Sequence, residues 1–239
     1  MIDRVAPTRR PDHAADGEQR WRKLLFLHWA FPVEAVRPHV PAALDLDLFD
    51  GTLYVGVVPF VMEQVRPSWL PRFASFDFLE TNVRTYVTHR GEPGVYFLSL
   101  EAASSLACLA ARATFGLPYF WARMRREERD GLVDYETERL LGGPARSAFR
   151  YRVGPELGPS EVGSLQHFLV ERYLLFVEKG GVIHRGQVHH PPYPVRAAEV
   201  LSVEDGLLAR AGLPSPTTPP ALAHYSEGVD VEVFGLEAR

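Results

Sequence analysis

The stretch "FDFLETNVRTYVTHRGEPGVYFLSLEA", residues 76–102, holds two β-rich runs on either side of His89-Arg90-Gly91-Glu92-Pro93-Gly94, and it predicts a hairpin. In the first run a period of two puts Glu80, Asn82, Arg84 and Tyr86 on one face and Thr81, Val83, Thr85 and Val87 on the other. An acid, an amide, a guanidinium and a phenol in succession make an unusual polar face. An exposed sheet with cross-strand ion pairs is one reading of it. The other is a strand lining the lumen of a closed barrel, where each of these groups must be paired or hydrogen-bonded. Glu80 and Arg84 stand about 13 Å apart along such a strand, at roughly 3.3 Å per residue. They would bracket a site around Asn82 rather than pair with each other.

Outward from this hairpin the chain reads mostly as strands. Asp50-Gly51 marks a further hairpin between β-like runs, and Lys179-Gly180-Gly181 marks another in residues 174–190. Strands are expected over 117–127, 132–140 and 146–153, and a last one in "EGVDVEVFGLE" (227–237). Helices are expected in residues 102–116, stopped by Gly116, in a segment opening near Ser164, and in 202–214 with Ser202 and Asp205 at capping-box spacing. His167 and Glu171 fall at i, i+4 and suit a surface pair on the second helix. Pro38 and Pro41 confine residues 33–41 to a turn or short helix. Residues 1–20 are polar and read as a flexible N-terminal arm, with a single domain over 21–239. The total is nine or ten strands and three short helices, a strand-dominated α+β chain.

The composition excludes several classes of function. The 239 residues carry a net charge of −4, so the chain as a whole favours neither nucleic acid nor an anionic membrane. No apolar run is long enough for a membrane helix and no signal-like h-region opens the chain, which leads to an expected cytoplasmic location. Cys108, the single cysteine, lies in an apolar stretch and reads as a buried small hydrophobe. Only Lys23 and Lys179 among the 26 basic residues are lysines. His184, His189 and His190 sit close together, yet neither zinc spacing nor a His-Glu-x-x-His helix is present, so no metal is expected. His28, in an apolar segment, reads as a satisfied core histidine. No Walker loop, dinucleotide fingerprint or Gly-x-Ser-x-Gly elbow occurs, and no cofactor is expected.

Eight segments occur in order: "LLFLHWAFP", "LDLFDGTLYVGVVPF", "ETNVRTYV", "PGVYFLSLEA", "GLPYF", "HFLVERY", "VHHPPYP" and "HYSEGVDVEVF". Together they resemble the YqjF-like proteins, a family of unknown function (DUF2071), across about residues 20–236. That family is related to acetoacetate decarboxylase. The resemblance implies an antiparallel β-barrel with flanking strands and a few short helices. Acetoacetate decarboxylase uses a Schiff-base lysine whose amine pKa is lowered by a second lysine and by desolvation. By resemblance that pair falls on Tyr119 and Phe120 in "GLPYF", and neither can form an imine. Glu80 resembles the relative's active-site glutamate.

The expected site therefore has Glu80 as acid or base, with Tyr119 and Tyr86 donating hydrogen bonds to a polarised oxygen. Arg84 anchors a carboxylate, Asn82 lies between, and Phe120 forms pocket wall. Such a cavity suits a small anionic or carbonyl-bearing ligand, either turned over by lyase- or hydrolase-type chemistry without an imine or simply bound. A barrel filled by apolar side chains, serving a structural role, is the further alternative. Exposed sheet edges would favour a homo-oligomer.

Overall fold

The computed structural model describes residues 2–141, 143 and 145–239. Twelve strands are joined in one sheet: β1 (Gly17–Phe31), β2 (Asp45–Leu46), β3 (Leu53–Pro67), β4 (Phe76–His89), β5 (Glu92–Ala102), β6 (Tyr119–Arg129), β7 (Leu132–Arg139), β8 (Ala145–Gly158), β9 (Leu174–Lys179), β10 (Val182–His189), β11 (Val195–Glu204) and β12 (Leu222–Ala238). Four short helices interrupt them: α1 (Val33–Val36), α2 (Ser105–Phe115), α3 (Leu165–Val170) and α4 (Leu207–Arg210). The strand-dominated fold expected from sequence is present.

The pairings close on themselves twice. One ring runs β10–β9–β5–β4–β3–β1–β12 and returns to β10. The other runs β5–β6–β7–β8–β11–β12–β1–β3–β4 and returns to β5. The two rings share the wall β12–β1–β3–β4–β5, so that wall is covered on both faces. Its alternation reads accordingly. Leu24 and Phe26 of β1 join the core of the smaller ring, whereas Leu25 and Leu27 join that of the larger. In β4, Val83 and Val87 pack in the larger ring and Tyr86 in the smaller. A one-residue slip would exchange the two sets, which fixes the register. The sheet is not wholly antiparallel, because β5 pairs in parallel with both β6 and β9. A parallel pairing needs a crossover connection, and α2 supplies it between β5 and β6.

Local chemistry accounts for the element ends. Arg90 and Gly91 both have positive φ, 51° and 82°, which gives the β4–β5 hairpin its tight turn. Ser104 Oγ accepts from Ala107 N at the start of α2, and Gly116 at φ 67° ends it. Ser164 Oγ accepts from His167 N to start α3.

Three expectations differ from the structure. Asp50-Gly51 does form a tight turn, closed by the isolated bridge Phe49–Thr52, but β2 before it pairs with β4 instead of β3. Ser202 belongs to β11, and at the start of α4 Asp205 accepts from Leu207 N and Leu208 N while Ser147 Oγ accepts from Gly206 N and Leu207 N. Glu171 lies beyond α3 and is buried, accepting from Tyr173 Oη and Tyr193 N rather than pairing with His167. Within the N-terminal segment Arg4 pairs with Asp47 and Arg10 pairs with Glu232, and β1 starts at Gly17. The Arg4 contact helps to satisfy the buried Asp47 carboxylate, as a buried charge requires. Among the described residues no helix is long and apolar enough to cross a membrane.

Candidate functional site

The alternation of β4 sends Glu80, Asn82, Arg84 and Tyr86 into the smaller ring, all of them buried. Opposite Glu80 on the neighbouring strands stand Phe60 and Ala102. The β5–β6 parallel register sets Leu100 beside Tyr119, so Tyr119 reaches the same place from the next strand. Its hydroxyl donates to Glu80 Oε2 at 2.8 Å across 39 residues of sequence. Asn82 also hydrogen-bonds Glu80 from the same strand, while Asn82 Oδ1 has no protein partner.

Burial dominates the acidity of Glu80 and pushes its pKa up to about 8; the Tyr119 hydroxyl and Asn82 pull it back and Glu101 pushes it further up. At neutral pH the carboxyl is therefore mostly protonated, and its conjugate base has two donors waiting. Burial by itself raises the Tyr119 phenol well above its ordinary range, with Glu80 adding to the shift, so the phenol stays a donor. The linkage sign follows. Between the unfolded value near 4.5 and about 8, the folded chain holds a proton that the unfolded chain has released. Stability from this group is complete below the lower value and is lost as pH rises through the upper one. Relative to wild type, Glu80→Gln should gain stability on the order of a few kcal/mol between pH 5 and pH 8. Urea unfolding of both proteins across that range measures it, and parallel curves would mean that Glu80 titrates normally.

Arg84 is the second focus. Its Nη2 donates to Leu169 O at 3.2 Å, its Nε has no partner, and its Cζ lies 5.6 Å from the Phe26 ring centroid and 5.9 Å from that of Tyr86. Among the described residues it makes no ion pair, although it is only 9% exposed. Tyr86 is not available to a ligand as expected. Its hydroxyl donates to Leu169 O at 2.7 Å, and it lies 2.7 Å from His28 Nε2, which leaves that nitrogen as the donor to it. His28 is thus only half satisfied: Nδ1 is buried without a partner. Burial, then the nearby Arg84 charge, lowers its pKa and keeps it neutral.

Phe120 does not share this site. Neighbours on a strand face opposite ways, so Phe120 turns toward the far side of the sheet and seats Arg139, whose Cζ is 3.7 Å from its ring centroid. Arg139 there pairs with the buried Glu101. Burial pushes Glu101 up to about 7 against the pull of Arg139. Cys108, on α2, packs with Tyr119 and Leu100 as the small hydrophobe expected.

Two groups of residues take places that the sequence did not predict. Asp47 and Arg172 form a buried pair 125 residues apart. Tyr193 joins the same core as Phe26, and its ring contacts His190, itself only 2% exposed. The signal for His190 and Tyr193 is the block "VHHPPYP", residues 188–194. Among the described residues no three His, Cys, Asp or Glu side chains converge as a metal site. The two lysine side chains lie in exposed settings: Lys23 Nζ pairs with Glu227 at 2.6 Å and Lys179 Nζ donates to Thr114 O at 3.0 Å.

The architecture has counterparts among solved structures. The enduracididine biosynthesis enzyme MppR complexed with pyruvate superposes with a TM-score of 0.64 at 11% identity, covering 95% of this chain and 91% of that one. Acetoacetate decarboxylase from Legionella pneumophila superposes with a TM-score of 0.63 at 12% identity, covering 98% and 92%. Identities this low establish the shared fold alone. In sequence the chain is 35% identical over 227 residues to the uncharacterized protein YqjF of Bacillus subtilis (strain 168), covering 95% of this chain and 93% of the relative. The DUF2071 family model, described as an uncharacterized conserved protein, matches residues 18–230. The chain therefore belongs to the DUF2071 family, built on the acetoacetate decarboxylase-like fold.

Proposed function

We propose that the smaller ring binds a small organic carboxylate, that Arg84 is its counter-ion, and that Glu80 exchanges a proton with it. The observation that carries this reading is the buried Arg84 guanidinium without a carboxylate partner among the described residues. An uncompensated buried cation is costly, and a carboxylate presented to its planar fork offsets that cost. The orphaned Asn82 Oδ1 and Arg84 Nε supply an acceptor and a donor on the same strand face. Glu80 in its neutral form can give up a proton, and Tyr119 and Asn82 then hold the carboxylate left behind. Proton transfer of this kind is an elementary step of lyase and hydrolase reactions. An imine route has no amine to use, since Lys23 and Lys179 are engaged at the surface. A structural neighbour was solved with pyruvate, a ligand of the same chemical class.

Binding without turnover is the second reading, and Arg84 supports it equally, because it needs only the cation. Calorimetric titration with pyruvate, acetoacetate and butyrate, followed by proton NMR of each mixture in deuterated buffer, separates the two. Saturable binding with deuterium uptake or product formation is the expected result for wild type, and Glu80→Gln should keep the binding and lose the exchange. Binding unchanged in both proteins with no exchange in either supports the second reading. No saturable binding of any carboxylate overturns both.

A further inference from the structure

His190 follows β10 and is buried, yet it also lines a surface groove of about 300 Å³ whose other walls include Gln19, Gln64 and Val231. Val231 belongs to the core of the smaller ring, so the groove abuts that ring's interior. The imidazole is held in place. It stacks on Tyr173 with centroids 4.4 Å apart and planes 18° from parallel, and it contacts Tyr193 at 4.7 Å and Trp21 at 5.8 Å. Its Nδ1 lies 2.8 Å from Pro191 O. A carbonyl can only accept, so Nδ1 carries the proton and Nε2 presents a lone pair. That Nε2 is buried and has no partner. A chain of ring contacts joins it to the anion anchor: Tyr193 lies 5.3 Å from Phe26, and Arg84 sits over Phe26.

Arg84 lies close enough to His190 for its charge to act on the imidazole, so an unpartnered acceptor and a cation without a carboxylate define a two-point ligand. The donor offered to Nε2 can be a hydroxyl or an ammonium. An ammonium would add a cation close to Arg84, and the acids that line the groove, Glu18, Asp230 and Glu232, are each already paired with an arginine. A hydroxyl adds none. Resting on the carboxylate reading above, we infer that His190 Nε2 is a specificity-determining acceptor and that the ligand class is hydroxy-carboxylates, the carboxylate on Arg84 and the hydroxyl on His190.

The test titrates wild type, His190→Phe and Arg84→Met with butyrate and with 2-, 3- and 4-hydroxybutyrate. In wild type at least one hydroxy isomer should bind about tenfold tighter than butyrate, the size of one buried hydrogen bond. His190→Phe keeps the ring and removes the acceptor, so it should bring that ratio near one while butyrate affinity holds. In wild type labelled with ¹⁵N-histidine, the preferred isomer should move the His190 Nε2 resonance and butyrate should not, a readout independent of whether the variant folds. Carboxylates that bind through Arg84 with no hydroxyl preference and an unmoved Nε2 overturn the inference and leave the carboxylate reading standing; Nε2 then serves an ordered water alone. Arg84-independent binding, or none, removes the carboxylate reading and this inference with it.

Discussion

Replacing Arg84 by Met is expected to abolish saturable binding of small carboxylates and, in the unliganded chain, to leave thermal stability unchanged or raise it. The two effects have one cause. Arg84 stands on the shared wall of the two rings, buried against Phe26 and Tyr86, with a backbone carbonyl and no carboxylate beside it. Holding a guanidinium there without a counter-ion costs folding free energy, and a Met of similar length keeps the stem packing while removing the charge. The cost is offset only when an anion arrives, so the charge that weakens the empty chain strengthens the complex. Removing one member of a desolvated ion pair costs about 2–5 kcal/mol of binding, or a loss of roughly 30-fold to several thousand-fold. Lysine at this position should fall between the two, since it keeps the charge and loses the bidentate fork. Calorimetry and thermal unfolding on the same preparations read both quantities. A variant that binds as tightly as wild type removes Arg84 from the site. A variant that melts like one with a core cavity shows that the guanidinium is structural.

How much of this could be read in advance depends on the range of the interaction. The polar face of β4 was legible because alternation is local, and the structure turns all four of its members into the smaller ring. The stop at Gly116, the start at Ser164 and the turn at Arg90-Gly91 were legible for the same reason. Alternation also implies that Tyr119 and Phe120 face opposite ways, and the Arg139 contact of Phe120 follows from it. Three features depend on closure instead. The β10–β12 and parallel β5–β9 pairings complete the smaller ring, and no local pattern encodes them. The parallel β5–β6 register decides that Tyr119 meets Glu80. His190 lies past the end of β10, where strand periodicity gives no direction, and its role emerges only from Tyr173, Tyr193 and Trp21 packing around it.

The largest loss of stability is expected for Asp47→Ala. This carboxylate is buried between two arginines: Arg4 spans both its oxygens at 2.6 and 2.7 Å, and Arg172 Nη1 meets Oδ2 at 2.9 Å. Arg172 is itself buried, its Cζ 4.2 Å from the Phe168 centroid and 4.8 Å from that of Tyr86, with Nε on Phe168 O. Burial already lowers its pKa to about 10, and Asp47 is the foremost influence opposing that fall. Without Asp47 the guanidinium stays inside with aromatic faces and a carbonyl for company, which should cost about 3–5 kcal/mol in urea unfolding. Arg4 would also lose its anchor, freeing the arm ahead of β1. The double variant Asp47→Ala/Arg172→Met separates the two contributions. If the stranded charge dominates, removing it should recover most of the loss, because an apolar pair of similar volume tolerates burial. If the arm dominates, the double variant stays as weak as the single one, and removing residues 2–10 from wild type reproduces the deficit. Tyr86 lies under both Arg172 and Arg84, so a loosened Arg172 should also disturb the floor of the anion site. Carboxylate affinity should then fall in Asp47→Ala and return in the double variant only if the charge, not the arm, holds that floor in place.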